Sequence, residues 1–431
     1  MKLLLISLLA LATSANGQWI FRTKADSIKY YQTIGAMADE SRKDTDDLFL
    51  LAESYLVKEI FQDYCSYKDL VKSNRRDTIR HVGLFALNLK KLPNEVFDCT
   101  NLVALDISAC KIKRLPKALN DLKFLQSVSI NKSKLRRLRI DFVKNESIQT
   151  LDLSHNNFRR IPSGVKYLGA LKYLNVTANR VRRLPKRLND CTNLDKINLS
   201  YNRVHRGVRF TDNVKIKSVI LQHNKLSRIP ASLARLSNLV QLDLSHNNLG
   251  DFPGRLRFSN LEILSLYGNH FDSIPNAILS SRKLRKLDVG FNKVKTINSS
   301  IGKLDNLEFF SIPNNELVSM PEEMGALSKL EFLYLPGNRL ETLPMSMSKL
   351  PLKEIDIELN KLKTIPSCIF GMGMLHGLYV SDNLVETLPR ELIGMVNLSV
   401  LYIDGNRIEK DGVETASILR ELAGRGIELK Y

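Results

Sequence analysis

From about residue 79 to about residue 408 the apolar positions repeat on one frame, L-x-x-L-x-L-x-x-N-x-L-x-x-L-P. Its ninth position falls at Leu87, Cys110, Ser133, Asn156, Asn179, Asn202, Asn224, Asn247, Asn269, Asn292, Asn315, Asn338, Asn360, Asn383 and Asn406. The steps are all 22 or 23 residues, which defines fifteen units and places the chain among stacked-repeat architectures. In Leu239-x-x-Leu242-x-Leu244 the alternation puts the last two leucines on one face of a short strand and Asp243 on the other. The ninth-position Asn carries a donor and an acceptor on a short side chain, suited to pairing with backbone groups where the chain turns inward off the strand. Cys110 and Ser133 offer weaker hydrogen-bonding groups there, and Leu87 none. Eleven of the fourteen prolines directly follow the apolar residue of position fourteen, where a fixed φ helps end the strand and begin the return. One unit has too little apolar surface to fold alone, so stacking must build a continuous core.

These residues resemble the leucine-rich repeat family, in particular the subclass whose units read LPxxLxxLxNL, as in "IPASLARLSNL" at 229–239. The resemblance covers roughly three quarters of the chain. It implies an α/β leucine-rich repeat solenoid: a curved parallel β-sheet on the concave face, short helical or irregular convex segments, and binding on the concave side. Two units depart from the frame. The return after Ser133, "KLRRLRIDFVKNESI", and the one between Asn202 and Asn224 both lack Leu-Pro, which reads as a local change of convex shape.

The ends extend this division. "MKLLLISLLALATSANGQ" has the basic start, short apolar run and small residues of a secretory signal peptide, residues 1–17. Residues 18–78 are expected to form a helical N-terminal cap, with "DDLFLLAESYLVKEIFQDY" as its helix and Asp46 and Asp47 favouring the N-terminus. A small independent binding module is the rival reading of that region. The solenoid is expected over 79–410. The C-terminal cap, 411–431, reads as a last helix, a stop at Gly424 and a closing strand that blunts the open edge. No apolar run long enough to span a bilayer is found. The five cysteines read as small buried thiols rather than a disulfide framework. Animal extracellular members of the family usually carry cysteine-rich caps. Their absence, with the short signal, points to an exported bacterial protein, periplasmic or secreted.

Catalytic chemistry finds no motif: there is no nucleotide loop, no HExxH and no nucleophile elbow. No cofactor is expected. "GMGMLHG", 371–377, is glycine-rich but falls on a return segment. His223 and His246 share one column in neighbouring units, with Asp243 nearby, and imidazoles ligate zinc. A polar concave face explains them more simply, and no metal site is assigned.

On the expected outward positions three, five, seven and eight, units two to eight carry mostly small or polar residues, among them Ser108, Ser129, Asp152, Ser154, Asn175, Thr177, Asn198, Asp243 and Ser245. Units nine to twelve switch to Ile263, Tyr267, Phe291, Phe309, Phe332 and Tyr334, and Tyr379 and Tyr402 continue column five. Outward aromatic residues are informative, because such clusters anchor protein interfaces. Mutual covering is the competing explanation.

Charge adds a second feature. The chain has 64 Lys+Arg against 45 Asp+Glu, a net +19, and residues 79–206 alone hold 26 against 9. Positions twelve and thirteen read Lys90-Lys91, Lys113-Arg114, Arg136-Arg137, Arg159-Arg160, Arg182-Arg183 and His205-Arg206, with Arg228 extending the column. From unit eight the slots become Gly250-Asp251, Asp272-Ser273, Glu341-Thr342 and Glu386-Thr387. At ~4.8 Å per strand the basic stripe spans about 30 Å of one flank. Together these features predict a non-catalytic protein-binding scaffold with its partner on the concave face. The alternative is a binder of anionic glycans or envelope lipid head groups through the basic flank. No base-stacking aromatics interleave with that flank, so specific nucleic-acid binding is not expected.

Overall fold

A computed structural model describes residues 64–141, 145–183, 188, 190–205, 215–254, 256–409 and 412–431. The expected signal peptide, and the expected N-terminal cap up to residue 63, lie outside the described residues. Seventeen strands of three residues each form one all-parallel sheet, paired in chain order. Each strand occupies positions three to five of its unit. The register sets equivalent residues side by side, as in Leu242↔Leu264↔Leu287, and these middle residues are buried.

The sheet begins earlier than the repeat frame. Tyr64–Ser66 pairs with His81–Gly83, inside the segment assigned to the cap. A six-residue helix follows, Tyr67–Lys72, capped by the Ser66 hydroxyl, which accepts from the Asp69 amide at 3.3 Å. At the other end the helix Val413–Gly424 precedes the strand Glu428–Lys430, which pairs with Val400–Tyr402. The Arg425 guanidinium ties this end down by donating to the Ile393 and Met395 carbonyls, each at 2.7 Å.

The returns are single turns of 3-10 helix. Pro116, Pro230, Pro321, Pro344 and Pro389 each stand at the N-cap of one, where a missing N–H costs nothing. In unit ten Asn298 replaces proline, and its side chain accepts from the Ser300 amide at 2.8 Å. Leu119, Leu233, Met324, Met347 and Leu392 point from these turns into the core.

The ninth-position Asn spans two units with four hydrogen bonds. Asn247 Nδ2 donates to the carbonyls of Leu221, Leu244 and Ser245 at 3.0, 3.0 and 3.1 Å. Its Oδ1 accepts from the Leu226 amide at 3.0 Å. The same set recurs at Asn156, Asn179, Asn202 and Asn292. Ser133 and Cys110 divide this duty. The Ser133 hydroxyl accepts from the Cys110 amide at 3.1 Å, and the Cys110 thiol reaches the Leu84 carbonyl at 3.0 Å.

The residue before each Asn has a left-handed backbone. Position eight has φ between 47° and 69° in all fifteen units, yet it is glycine only at Gly268, Gly337 and Gly405. Such a residue turns the chain inward and aims the ninth side chain at the core. A non-glycine residue there costs about 1–2 kcal/mol, offset by the Asn bonds that follow. The position-eight amide meanwhile extends the sheet ladder, as in His246 to the Tyr267 carbonyl at 2.7 Å.

Asn247→Ala leaves the buried Leu226 N–H without a partner and takes one of two donors from each of the Leu221, Leu244 and Ser245 carbonyls, so it should lower unfolding free energy by about 2–4 kcal/mol. The exposed neighbour change Asn248→Ala should stay within about 0.5 kcal/mol of the wild type. Urea unfolding followed by circular dichroism separates the two. Equal effects would contradict the role given to the ninth position.

Candidate functional site

Position five performs a structural task wherever it is Asp or Asn. Its side-chain oxygen accepts from the position-seven amide: Asp152 from Ser154 at 2.7 Å, Asn175 from Thr177 at 3.0 Å, Asn198 from Ser200 at 2.9 Å and Asp243 from Ser245 at 2.9 Å. The position-seven residues Ser108, Ser154, Ser200 and Ser245 are therefore buried, which corrects the expectation that column seven faces outward throughout. Burial also pushes several of the acids up: Asp243 above its ordinary range, and Asp106 and Asp288 to about 6.

Units eleven and twelve escape this constraint. Their seventh residues are Pro313 and Pro336, which have no N–H to satisfy. Column five is then free for Ser311 and Tyr334, and column three carries Phe309 and Phe332. These strands pair directly, Phe309↔Phe332 and Ser311↔Tyr334. The rings of Phe309 and Tyr334 lie 5.4 Å apart, and those of Phe309 and Phe332 lie 6.5 Å apart. All three are half-buried on the concave face. Beside them stand Glu354, Asp356 and Glu358 of the next unit. The Tyr334 hydroxyl donates to Glu354 Oε2 at 3.0 Å. Burial, and then the Glu354 carboxylate, raise its phenol well above the ordinary range. Glu354 and Asp356 are buried, and of the three carboxylates only Glu358, two residues past the strand Glu354–Asp356, is partly exposed.

The remaining aromatics do not join this cluster. Tyr379 is 3 % exposed; it packs against Tyr402 at 5.2 Å and offers no face to a partner, contrary to the expectation from column five. Tyr402 is half-buried, and its hydroxyl donates to Glu428. Ile263 is half-buried and separated from Phe309 in column three by Lys286.

Tyr267 and Phe291 belong to a different array. Tyr201, His223, His246, Tyr267 and Phe291 form one continuous run of ring contacts along the rim, stacked from Tyr201 to His246, edge-on between His246 and Tyr267 and tilted between Tyr267 and Phe291. Centroid separations are 4.3, 4.0, 5.1 and 4.9 Å in that order. His223 and His246 are nearly coplanar in orientation, at 8°. Four of the rings sit on position eight, and Tyr267, on position seven, fills the place that Gly268 leaves empty. A Cβ at Gly268 would meet His246 Nδ1 at 2.8 Å, and one at Gly290 would meet Tyr267 Cδ2 at 2.9 Å. Tyr201 and Phe291, at the ends, are 39 % and 48 % exposed. The shared column of His223 and His246 was visible in the sequence. The stack was not, because it depends on the left-handed residue that brings column eight onto the rim. Burial pushes His223 down to about 4, assisted by His246, and lowers His246 as well, so both rings are neutral at neutral pH. Among the described residues no group of three or more His, Cys, Asp or Glu side chains could hold a metal ion.

The flank residues are all on the surface. Lys90, Lys91, Lys113, Arg114, Arg136, Arg137, Arg159, Arg160, Arg182, Arg183 and Arg228 are exposed, and Arg206 lies outside the described residues. The stacking is shifted in unit three. Arg139, not Arg137, is the Cα partner of Arg114, because the return without proline runs two residues further before it pairs. Asp141 accepts from both Arg114 and Arg139 and is held below its ordinary range, chiefly by Arg114. Position ten adds a basic column that the sequence reading missed: Lys111, Lys134, Arg180, Arg203 and Lys225, all exposed. Counting basic residues column by column beyond positions twelve and thirteen would have found it.

"GMGMLHG" runs from the end of the turn Ser367–Gly371 to the strand Gly377–Tyr379, and so lies on a return. Cys99, Cys110, Cys191 and Cys368 are buried and unbridged, and Cys65 is half-buried. Burial raises Cys191 to about 12. No helix among the described residues is long and apolar enough to cross a membrane.

This stack of short parallel strands, with an Asn ladder inside and 3-10 turns outside, defines a leucine-rich repeat solenoid. Residues 146–204 and 282–340 match a family model described as Leucine rich repeat, and 235–251 and 260–281 match two further models of that description. The chain is a leucine-rich repeat protein. A leucine-rich repeat protein of Leptospira interrogans is similar in structure over 85% of this chain and 99% of its own, at 26% identity and a TM-score of 0.69. A TDR receptor is similar over 77% of this chain and 60% of its own, at 26% identity and a TM-score of 0.57. The plant peptide hormone receptor RGFR1, in complex with RGF2, is similar over 77% of this chain and 55% of its own, at 26% identity and a TM-score of 0.55. This chain therefore spans less than two thirds of either receptor's length. No curated protein sequence matches it significantly.

The histidine pair gives a pH test. The folded pKa of His223, about 4, lies below its ordinary value of 6.5. Between those values the unfolded chain binds a proton that the folded chain does not. Stability should therefore fall as pH drops through that window and change no further from this source below it. His223→Gln removes the effect, so its melting temperature relative to wild type should rise as pH falls from 6.5 to 4. A pH-independent difference would exclude the depressed imidazole.

Proposed function

We propose that this protein is an exported, non-catalytic scaffold that binds a protein or peptide partner on its concave face, centred on units eleven to thirteen. The observation that carries the reading is the cluster of Phe309, Phe332 and Tyr334 on adjacent strands, left half-exposed where Pro313 and Pro336 release column five. Half-exposed aromatics on a rigid sheet offer large contact area at little entropic cost. The partly exposed Glu358, beside the buried Glu354 and Asp356, favours a partner whose apolar anchor is accompanied by a Lys or Arg. RGFR1 is a similarly folded receptor in complex with a peptide, which supports the reading by analogy of fold. Tyr267, Phe291 and Ile263 lie toward the N-terminal side of this centre and Tyr402 toward the C-terminal side, where they would contact the ends of a longer partner.

Panning a random peptide library against the whole chain tests the proposal. Enriched peptides should carry an aromatic or aliphatic anchor next to a basic residue. Phe309→Ala and Phe332→Ala should each weaken them about tenfold or more while costing roughly 1–2 kcal/mol of stability, since each ring is already part exposed. Binders that keep their affinity for the double variant would place the partner elsewhere.

A further inference from the structure

We infer that the N-terminal half of the solenoid carries a second binding site, on the flank rather than the concave face, for a linear sulfated or carboxylated glycan. The inference does not depend on the concave-face reading. In units one to seven, the twenty described positions of columns ten, twelve and thirteen hold sixteen Lys or Arg and no Asp or Glu. Among the described residues only Arg114 of these sixteen has a carboxylate partner, Asp141.

The same chain shows what a stacked column looks like when its charges are matched internally. Position two, on the opposite edge of the strands, pairs opposite charges between neighbouring units at several points. Lys217 pairs with Asp195 at 3.7 Å, and Lys353 with Glu331 at 2.8 Å. Arg285 stands between Glu262 at 3.8 Å and Glu308 at 2.8 Å. Matching charges across units is thus available to this fold, and column ten itself uses it in units eleven and twelve, where Arg339 pairs with Glu316 at 3.3 Å. In units one to seven the cations repeat unit after unit. Like charges roughly one strand spacing apart repel, so the arrangement lowers stability and adds nothing to the core. An anionic ligand lying along the columns removes that repulsion.

The shape of the array selects among polyanions. It is long, narrow and indexed to the repeat, which fits a flexible chain with anionic groups at intervals. It lacks what a bilayer would use: column eleven, between the basic columns, is buried at Ile112, Leu135, Phe158, Val181 and Val204, so no apolar side chain projects to insert beside the charges. It also lacks what a single-stranded nucleic acid would use. Columns ten, twelve and thirteen of units one to seven hold no Phe, Tyr or Trp, so no ring alternates with the cations to stack a base.

Heparin, as the probe, tests the site by affinity chromatography and by fluorescence titration across a salt series. The variant combines Arg159→Gln, Arg160→Gln, Arg182→Gln and Arg183→Gln. The control removes the same charge from exposed residues elsewhere, with Lys283→Gln, Lys303→Gln, Lys329→Gln and Lys349→Gln. The variant should bind roughly tenfold more weakly at physiological ionic strength and elute at lower salt, while the control matches wild type. If the variant does not fold by circular dichroism, Lys111→Gln, Lys134→Gln, Arg180→Gln and Arg203→Gln should give the same weakening through column ten. Equal shifts in variant and control, or none in either, would overturn the site. Tighter binding of an oligothymidylate or of anionic phosphatidylglycerol vesicles than of heparin would overturn the glycan assignment. Phe309→Ala and Phe332→Ala should leave heparin binding unchanged, so failure here and failure of the concave-face reading remain distinguishable.

Discussion

Twelve of the fifteen units depend on one inward-turned side-chain amide. Each ninth-position Asn reaches backward to a carbonyl of the preceding unit and accepts an amide proton from it, while tying down two carbonyls of its own turn. Without the Asn, that amide would be buried with no partner and each carbonyl would keep only one donor, a cost that offsets the left-handed strain at position eight. The bonds hold the chain in a turn that it would not adopt alone. They also hold each unit at the same rotation from its neighbour, so that every other column comes into register. The aromatic cluster, the ring stack and the basic flank are all consequences of that registration.

Structural and functional demands are separated by column. Positions four, six, nine, eleven and fourteen are committed to the core. Position five is committed to capping wherever position seven has a free amide and position five is Asp or Asn. The two prolines at position seven lift that commitment in units eleven and twelve, where column five holds Ser311 and Tyr334, beside Phe309 and Phe332 in column three. In the same way, glycine at 268 and 290 makes room for the rings of neighbouring units. Small changes in one column thus license large side chains in another.

The leucine period and the Asn column made the solenoid legible from the sequence, because a repeat that holds register over fifteen units can bury its face only by stacking. The outward placement of columns three and five was legible for the same reason, since it follows from strand alternation. Three things were not. Alternation ends after position six, so it could not show that Ser154 or Ser245 turns in to its own Asp, nor that His246 sits on a rim with Tyr201 and Phe291. Column position could not show that Tyr379 is covered by its neighbours. Fixed spacing could not show that Arg139 takes the place beside Arg114, because the return after Ser133 lacks the proline that sets where pairing begins.

The ring stack gives the inner rim a mechanical character. Strands in a sheet stand ~4.8 Å apart, but on the rim His223 and His246 are separated by 4.0 Å, close to the roughly 3.5–4.0 Å at which carbon atoms touch. The two imidazoles are thus already in van der Waals contact, so drawing units seven and eight together at this edge presses ring against ring, and the contact resists compression there more than separation.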